Sequence, residues 1–372
     1  MTNRLNNIKP IARKVGDGKN PIFITVIAFL AITLLLDIFI IDGKVLDLLA
    51  YFYIALGLLF VLYGIPLLYA SRRLIQYYWQ RASKNKLAVG GLAFILFLIL
   101  LAFIGPLFTA DPTAINFEEK NLPPLGFTIE ESVYKLETEQ FITTRITSTR
   151  EHPLGTDDKG RDLLAMIISG TRVSLQVGLL ATGIAIILGT LIGVSAAYLG
   201  GKVDNILMRF TDIMMTFPFF LLLVFIVFIF GPNLALIVIV IGLTGWTGTA
   251  RLIRSEALSL RTREFVMASK ALGASDRRII LFHLIPNVIS LIIVIATLSI
   301  PGVILAEAAL SFIGLGDSSV ASWGMILKAG QQNLDTTWWV AVAPGIMLFL
   351  TVLAFNFLGD GLRDAFDPRS NI

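Results

Sequence analysis

Cysteine is absent from this 372-residue chain, and histidine occurs only twice, at His152 and His283. These shortages exclude a disulfide framework, a thiolate nucleophile and a cysteine-based metal site, and they argue against a histidine metal cluster. Charged residues make up only 15% of the chain, whereas soluble domains contain about 25%. A Gly-x4-Gly-Lys-Ser/Thr phosphate loop is also missing, so the chain is not itself a P-loop ATPase. We therefore predict no catalytic residue, no metal ligand and no cofactor bound by this chain.

Apolar residues, by contrast, are abundant, at 56% of the chain. This composition excludes an ordinary soluble enzyme and intrinsic disorder. The net charge of +4 is too small, in so apolar a chain, to indicate nucleic-acid binding. Crossing a bilayer takes a helix of roughly 20 apolar residues. We predict an all-α polytopic membrane protein with about eight transmembrane helices, at residues 21–41, 46–70, 87–108, 173–199, 212–231, 234–250, 287–312 and 338–358.

Lysine and arginine predict which side of the membrane each loop faces, because they accumulate in cytoplasmic loops. Residues 71–86 contain five basic residues and no acidic one, and residues 251–286 contain seven basic and three acidic residues. We expect both stretches to be cytoplasmic. Eight spans then place both termini in the cytoplasm and residues 109–165 outside, where eleven acidic residues accompany six basic ones.

The predicted spans divide into an N-terminal pair and a six-helix core. Residues 1–20 form a basic cytoplasmic N-terminus, and residues 21–83 hold two additional membrane helices and a basic cytoplasmic linker. The first apolar run is long enough to span and no small-residue cleavage site follows it, which predicts a retained helix rather than a signal peptide. The core covers residues 84–372, with an external loop over 109–172 and a cytoplasmic loop over 251–286.

Small residues recur at every fourth position of the fourth predicted span. Such a stripe lets two helix backbones approach closely in a membrane. It fits ordinary packing within a bundle, and it also fits a helix contact that slides during transport. The stripe consists of Ala181, Ala185, Gly189, Gly193 and Ala197.

The cytoplasmic loop contains the most informative pattern. Thr262 is predicted to cap a short helix with Glu264 in its first turn, and Gly273 to end that helix in the left-handed conformation. Ser275 is predicted to cap a second short helix, and Pro286 to close the unit before the next span. This helix–turn–helix is too small to form a domain. Its apolar residues must therefore dock on the membrane surface or on another protein.

The same loop resembles the EAA loop of ABC importer permeases, in which Glu-Ala-Ala, three residues, Gly, nine residues, Ile, one residue and Leu-Pro follow in order. Here Met267-Ala268-Ser269 is followed after three residues by Gly273, and after nine more by His283-Leu284-Ile285-Pro286. The spacing agrees, with Met267 in place of the first Glu and Ile285 in place of the Leu before proline. Histidine at position 283 is typical of the peptide-transport branch.

Further stretches resemble the same branch, and the likeness extends over residues 84–372 but not over 1–83 or the insertion 113–150. The chain is similar to the second, C-type, permease of an oligopeptide, dipeptide or nickel ABC importer. The stretches that carry this likeness are His152-Pro153-Leu154-Gly155-Thr156-Asp157, Gly160-Arg161-Asp162, Gly170-Thr171-Arg172-Val173-Ser174-Leu175, Gly200-Gly201-Lys202-Val203-Asp204, Met208-Arg209, Asp212, Phe217-Pro218, Ala306–Gly316 and Ser322-Trp323-Gly324.

The resemblance implies a division of labour within a bacterial cytoplasmic (inner) membrane. This chain would form half of a pore with a second homologous permease, and two ABC ATPase subunits would bind ATP and Mg. Closure of the ATPases would push the coupling loop and switch the pore between inward- and outward-facing states, while an extracytoplasmic binding protein delivers the substrate, by default a peptide. The coupling residues would be Glu264, Phe265, Met267, Ala268, Ser269, Ala271, Leu272, Gly273, Ala274, Asp276, His283 and Pro286, and the external hallmark would be Gly155, Thr156, Asp157, Gly160, Arg161 and Asp162.

Two further features leave alternatives open. Glu307 lies within an apolar span, where a carboxylate is costly and therefore suggests function. It either faces the pathway near Phe312, where it could meet a peptide amino group, or pairs with an arginine at the outer interface. Residues 113–150 are either part of a docking surface for the binding protein or a solvated loop.

Other classes of protein fit less well. Nickel import remains an alternative to peptide import, although histidine is scarce. An ATP-independent secondary transporter would need inverted repeats or midplane charges, and neither is clear. An intramembrane aspartyl protease would need two adjacent aspartates, but Asp317 and Asp212 are predicted at opposite membrane edges. A scaffold protein would not require so specific an inner loop.

Overall fold

The computed structural model of the chain describes residues 72–135 and 140–366. The two predicted N-terminal spans, at 21–41 and 46–70, lie outside the described residues. The chain divides into two compact units, Met1–Arg81 and Ala82–Ile372. Helix α1 (Arg72–Ala82) begins in the first unit and ends at the first residue of the second.

The described part of the second unit consists mainly of helices. Wide helical turns at Ile280–Leu284 and Ser311–Leu315 adjoin the ends of one of them, α10. The helices are α2 (Lys86–Ile104), α3 (Leu163–Leu199), α4 (Gly201–Thr216), α5 (Phe219–Phe230), α6 (Leu234–Thr244), α7 (Trp246–Arg261), α8 (Glu264–Ala271), α9 (Asp276–Ile279), α10 (Ile285–Leu310), α11 (Trp323–Gln331) and α12 (Trp338–Phe366).

Several helices begin at a side chain that accepts hydrogen bonds from the first free backbone N–H groups, which a helix cannot satisfy internally. Asn85 caps α2 by accepting from the N–H groups of residues 87 and 88. Asp162 caps α3, Asn233 caps α6 and Ser322 caps α11. These polar residues therefore set where each apolar helix starts.

Each of the six predicted core spans has a counterpart in the structure. In the described ranges, five helical stretches are long and apolar enough to cross a membrane, and α4 with α5 forms a sixth candidate that bends by 77° at Phe217–Pro218. Proline has no N–H to continue the helical ladder, which explains the bend. The helical class of the prediction is confirmed for the described core.

The prediction of an all-α fold is wrong in one place. Strands β1 (Thr128–Lys135) and β2 (Gln140–Thr147) form an antiparallel pair in which residue 128 lies opposite residue 147. This hairpin lies within the predicted insertion 113–150. Because charge and hydropathy identify only membrane-length runs, they gave no indication of a short, solvent-compatible hairpin.

The predicted loop boundaries also require correction, because helices continue beyond their apolar segments. Helix α3 begins at Leu163, so the predicted external loop 109–172 ends ten residues earlier. Helix α7 continues to Arg261, so the first eleven residues of the predicted loop 251–286 are helical. The 40-residue stretch Asp276–Leu315 is likewise one candidate span. Charged residues mark the end of an apolar run, but they do not end a helix.

The small-residue stripe of α3 packs closely against α7. All five residues of the stripe are buried. A methyl group added at Gly193 would lie 2.5 Å from the carbonyl oxygen of Ala250, and one added at Gly189 would lie 2.7 Å from the side chain of Thr249. Only glycine permits this approach, so the predicted close packing is confirmed, whereas sliding remains a prediction.

Candidate coupling surface

Helix α8 is positioned by the turn that follows α7. Thr262 does not cap α8 as predicted. It ends α7, its hydroxyl donates to the Ser259 carbonyl at 3.0 Å, and Arg263 occupies the N-cap position. The reason is that α7 extends further than its apolar residues suggest. Glu264 lies in the first turn of α8 as predicted, where a carboxylate favours the positive end of the helix dipole.

The end of α8 follows the prediction more closely. Gly273 has a φ of 76°, the left-handed conformation that glycine adopts without steric cost. Ser275 is the N-cap residue of α9, although its side chain makes no capping hydrogen bond. Pro286 does not close the unit as predicted. It lies in the first turn of α10, where its missing N–H is tolerated, and the helical path continues through it.

Val266 is the one buried side chain of α8 and packs it against the membrane helices. Val266 is 2% exposed and lies in an apolar cluster with Ile253, Leu260 and Ile279. Other apolar side chains in and beside α8 are exposed. Met267 is 54% exposed, and Leu272, just after the helix, is 88% exposed. This short helix therefore presents apolar side chains outward, which is unusual unless another surface covers them.

The predicted coupling residues form one continuous region. Ser269 donates to the Phe265 carbonyl at 2.8 Å, and its hydroxyl lies 3.4 Å from Nε2 of His283. The rings of Phe265 and His283 have centroids 6.4 Å apart. Three of the predicted residues are half-buried, namely Ser269, Ala274 and His283, and the others are exposed, namely Glu264, Phe265, Met267, Ala268, Ala271, Leu272, Gly273, Asp276 and Pro286.

Polar contacts that the sequence did not reveal hold this region to the end of α3. The Tyr198 hydroxyl donates to the Asp276 carboxylate at 2.8 Å. The Arg261 guanidinium donates to the Ala197 carbonyl at 3.1 Å. Gly200, with a φ of 65°, turns the chain there, and an added methyl group would lie 2.8 Å from Arg261. The pair Gly200-Gly201 was the available sequence signal for this close approach.

Two ion pairs connect α4 to α7 beside this region. Arg254 donates from two nitrogens to the two carboxylate oxygens of Asp204, each at 2.6 Å. Arg251 donates to Asp212 at 2.5 Å. Both acids belong to the stretches that carry the family resemblance, whereas their arginine partners do not. The two arginines are three residues apart and the two acids eight residues apart, so each pair lies on one helical face. Once α4 and α7 are known to be adjacent, this spacing predicts the pairing.

The glycine-rich stretch before α3 forms a second polar structure, which we call the loop clamp (residues 116–122 with 152–162). Asp157 is 1% exposed and accepts from the backbone N–H of Lys159 at 2.9 Å and of Arg161 at 2.8 Å, and from the Arg161 side chain at 2.7 Å. Gly155 and Gly160 both have positive φ. The backbone of Asn116 passes so close to Gly160 that no side chain fits.

The loop clamp is completed by Thr156 and the N-cap of α3. The Thr156 hydroxyl donates to the Glu119 carbonyl at 2.5 Å and accepts from the Leu122 N–H at 2.9 Å. Trp339 donates to the Thr156 carbonyl at 3.0 Å. Asp162 accepts from the Ala165 N–H at 2.8 Å. The six hallmark residues thus lie together, and they fix the preceding loop on the start of α3.

His152 links the two sides of the loop clamp through its ring nitrogens. Nδ1 lies 2.9 Å from Asp162 Oδ1, and Nε2 lies 3.2 Å from Glu119 Oε2. Partial burial disfavours the imidazolium, but the hydrogen bonds and charges of these two carboxylates prevail and raise the pKa of His152. The protonated ring can donate to both carboxylates, whereas the neutral ring can donate to only one.

Comparison with known proteins identifies the family. Residues 185–372 match the family described as binding-protein-dependent transport system inner membrane component. The chain belongs to this family of permeases. Residues 73–124 also match the N-terminal TM domain of oligopeptide transport permease C. The permease is accordingly a multi-pass inner-membrane protein, as its apolar helices indicate.

Curated relatives cover most of this permease. The oligopeptide transport system permease protein OppC of Haemophilus influenzae is 39% identical over 78% of this chain and 88% of its own length. The dipeptide transport system permease protein DppC of Bacillus subtilis is 38% identical over 78% of this chain and 84% of its own length. The OppC protein of Escherichia coli K12 is 42% identical over 59% of this chain and 72% of its own length.

Glu307 of this permease occupies neither of the two predicted positions. It is 1% exposed and enclosed within the chain, and the Ser311 hydroxyl donates to its carboxylate at 2.7 Å. None of the ion pairs found among residues 72–135 and 140–366 joins it to an arginine. The enclosure arises because α11 folds back on α10, where a methyl group added at Gly324 would lie 2.6 Å from Ala308. The neighbouring Phe312 is 38% exposed.

The two aspartates considered for a protease belong to separate structures in this permease. Asp317 accepts from the Leu234 N–H at 3.0 Å and so helps to start α6. Asp212 pairs with Arg251 on α7. Each carboxylate has its own partners, so the structure offers no support for a shared catalytic proton.

Proposed function

We propose that this chain is the C-type permease subunit of an ATP-driven, binding-protein-dependent importer of dipeptides or oligopeptides. The observation that carries the proposal is the outward-facing apolar surface of α8, whose one buried side chain, Val266, packs among the membrane helices. Peptide as substrate is supported by the relatives, which are named as oligopeptide and dipeptide permeases.

In this proposal α8 lies in a groove of an ABC ATPase subunit. Exposed Met267 and Leu272 supply apolar contact area, and Val266 transmits the movement of α8 to the cluster at the ends of α3, α7 and α10. The ion pair Asp204–Arg254 makes α4 move with α7. ATP and Mg bind to the ATPase subunits and not to this chain.

The assembly contains two ATPase subunits, a second homologous permease that completes the pore, and an extracytoplasmic binding protein. The eight-helix arrangement with both termini in the cytoplasm belongs to the same proposal. It places α8 at the cytoplasmic face, and it places the loop clamp and the β1–β2 hairpin at the face where the binding protein docks. The charge asymmetry of the loops supports this orientation.

Photocrosslinking tests the central contact. A photoreactive residue at Leu272 in the assembled complex is expected to capture an ATPase subunit, because this side chain is 88% exposed beside α8. The matched control is Phe127, which is 52% exposed beside the hairpin and is expected to capture no ATPase. Absence of any ATPase adduct at Leu272 would overturn the coupling role.

Uptake in proteoliposomes tests the energy source. The complete complex with its binding protein is expected to transport peptide only when ATP is present on the side of the membrane that carries the ATPase subunits. Vanadate is expected to stop this transport. Uptake that proceeds without ATP and resists vanadate would instead favour a secondary transporter.

A further inference from the structure

Two breaks in the membrane helices and one intrahelical proline lie beside one cavity of about 400 Å³. The bend between α4 and α5 places Phe219 on its wall, and the break between α6 and α7 places Gly245 there. Helix α10 contributes Gly302, which follows the intrahelical Pro301. Interrupted helices at membrane depth are tolerated where they line a cavity or are buried in protein, and in transporters they commonly mark the site that contacts the solute.

The polar groups of the cavity wall are all neutral. Hydroxyl groups come from three different helices, as Thr182 on α3, Thr249 on α7 and Ser299 on α10, and no charged residue is among the described residues that line the cavity. An ionised solute group would lose its hydration there without a charged partner, which is costly. An uncharged group that forms hydrogen bonds suits this wall better.

Thr182 differs from Thr171 and Thr351, two other buried threonines of the membrane helices. The hydroxyls of Thr171 and Thr351 donate to the carbonyl four residues earlier, at 2.9 and 2.6 Å. Thr182 is 3% exposed, and its hydroxyl has no hydrogen-bond partner among the described residues. A buried polar group of this kind is unfavourable unless something else satisfies it.

We propose that this cavity is a pocket of the transport pathway that receives an uncharged side chain or a backbone amide of the peptide in transit, with Thr182 as its hydrogen-bonding group. The inference rests on the proposed function and adds a site to it. A lipid acyl chain would fill the apolar part but would leave the hydroxyl unsatisfied. The cavity volume is in the range of small-molecule sites, which is ample for one or two residues.

Isosteric substitution tests the hydrogen bond, and the chain offers a close control. Thr190 lies on the same helix, is buried, and also has a hydroxyl without a partner in the described structure, but it does not line the cavity. In the complete importer, with saturating binding protein loaded with trialanine, Thr182→Val is expected to lower the maximal uptake rate by about fivefold, the factor that corresponds to one lost hydrogen bond. Thr190→Val is expected to leave it unchanged.

Thiol labelling gives a second readout that a purely structural role would not alter. The chain has no cysteine of its own, so Thr182→Cys introduces a single thiol into it. We expect methyl methanethiosulfonate, an uncharged reagent that suits the neutral wall, to label this thiol in the complex, and we expect trialanine with its binding protein and ATP to slow the labelling. Thr190→Cys, outside the cavity, is expected to show no such protection.

The outcomes separate this inference from the proposed function. If the unsubstituted complex imports trialanine with ATP while Thr182→Val transports normally or trialanine leaves the labelling unchanged, the pocket is refuted and the importer stands. If the unsubstituted complex imports no peptide of any kind, the proposed function itself is refuted.

Discussion

Removal of the anchor of α8 is the sharpest test of how force reaches the membrane helices. Val266→Ala deletes two buried methyl-sized groups from a side chain that is 2% exposed. At about 0.8 kcal/mol for each buried carbon, plus a contribution from the cavity left behind, docking of α8 should weaken by about 2 kcal/mol. Because a change of this size alters a two-state equilibrium by roughly 30-fold, the undocked form of α8 should become that much more populated.

Hydrogen exchange measures this change directly. In the purified permease without its ATPases, the amides of residues 264–272 should exchange about 30-fold faster in Val266→Ala than in the unsubstituted chain, if they exchange through undocking. Amides in the middle of α3 and α12 should keep their rates, because the substitution removes no contact there. In the complete importer, peptide taken up per ATP hydrolysed should fall, since a loosely held α8 transmits less movement.

Met267→Ala is the matched control for this experiment. Met267 adjoins Val266 on the same helix but is 54% exposed, so its truncation should not change exchange in the isolated permease. It should instead weaken binding of the ATPase, because its side chain belongs to the outward-facing surface. Equal exchange rates in Val266→Ala and the unsubstituted chain would refute the conclusion that the buried Val266 side chain holds α8 in place.

Two further predictions concern the packing of α3 and the loop clamp. Gly193→Ala should lower the free energy of unfolding by about 1–3 kcal/mol, the usual cost of overpacking, because its methyl group would lie 2.5 Å from the Ala250 carbonyl oxygen. Gly183→Ala, on the same helix with open space around it, should be neutral or slightly stabilising. Although burial opposes it, the flanking carboxylates raise the pKa of His152. The stabilisation from His152 should therefore be complete below the unfolded pKa near 6.5 and disappear as the pH rises through the higher folded value. Unfolding followed against pH should show this loss in the unsubstituted chain and not in His152→Gln; the same pH dependence in both would contradict it.

The six core spans could be predicted because hydrocarbon thickness imposes a minimum apolar length that few other structures require. Their ends could not, since a helix that leaves the bilayer continues wherever its polar residues find partners. Arg254 illustrates this, because its charge marked a loop in the sequence, yet it lies within α7 and pairs with Asp204. Such pairing depends on which helices are adjacent in the folded chain, and this cannot be predicted from a short stretch of sequence.

The candidate site shows the same division between local and long-range information. The left-handed turn at Gly273 was predicted correctly because this preference belongs to a single residue, whereas Ser275 takes the predicted N-cap position without the capping hydrogen bond. The prediction for the position of Glu307 was wrong, because that position depends on the contact of α11 with α10 at Gly324 and Ala308. A contact between two separate helices cannot be predicted from neighbouring residues in the sequence. Glu307 is 1% exposed, accepts from Ser311 one turn later on the same helical path, and does not line the cavity that Thr182 lines. The neutral wall around Thr182 is therefore the stronger candidate for contact with the transported peptide.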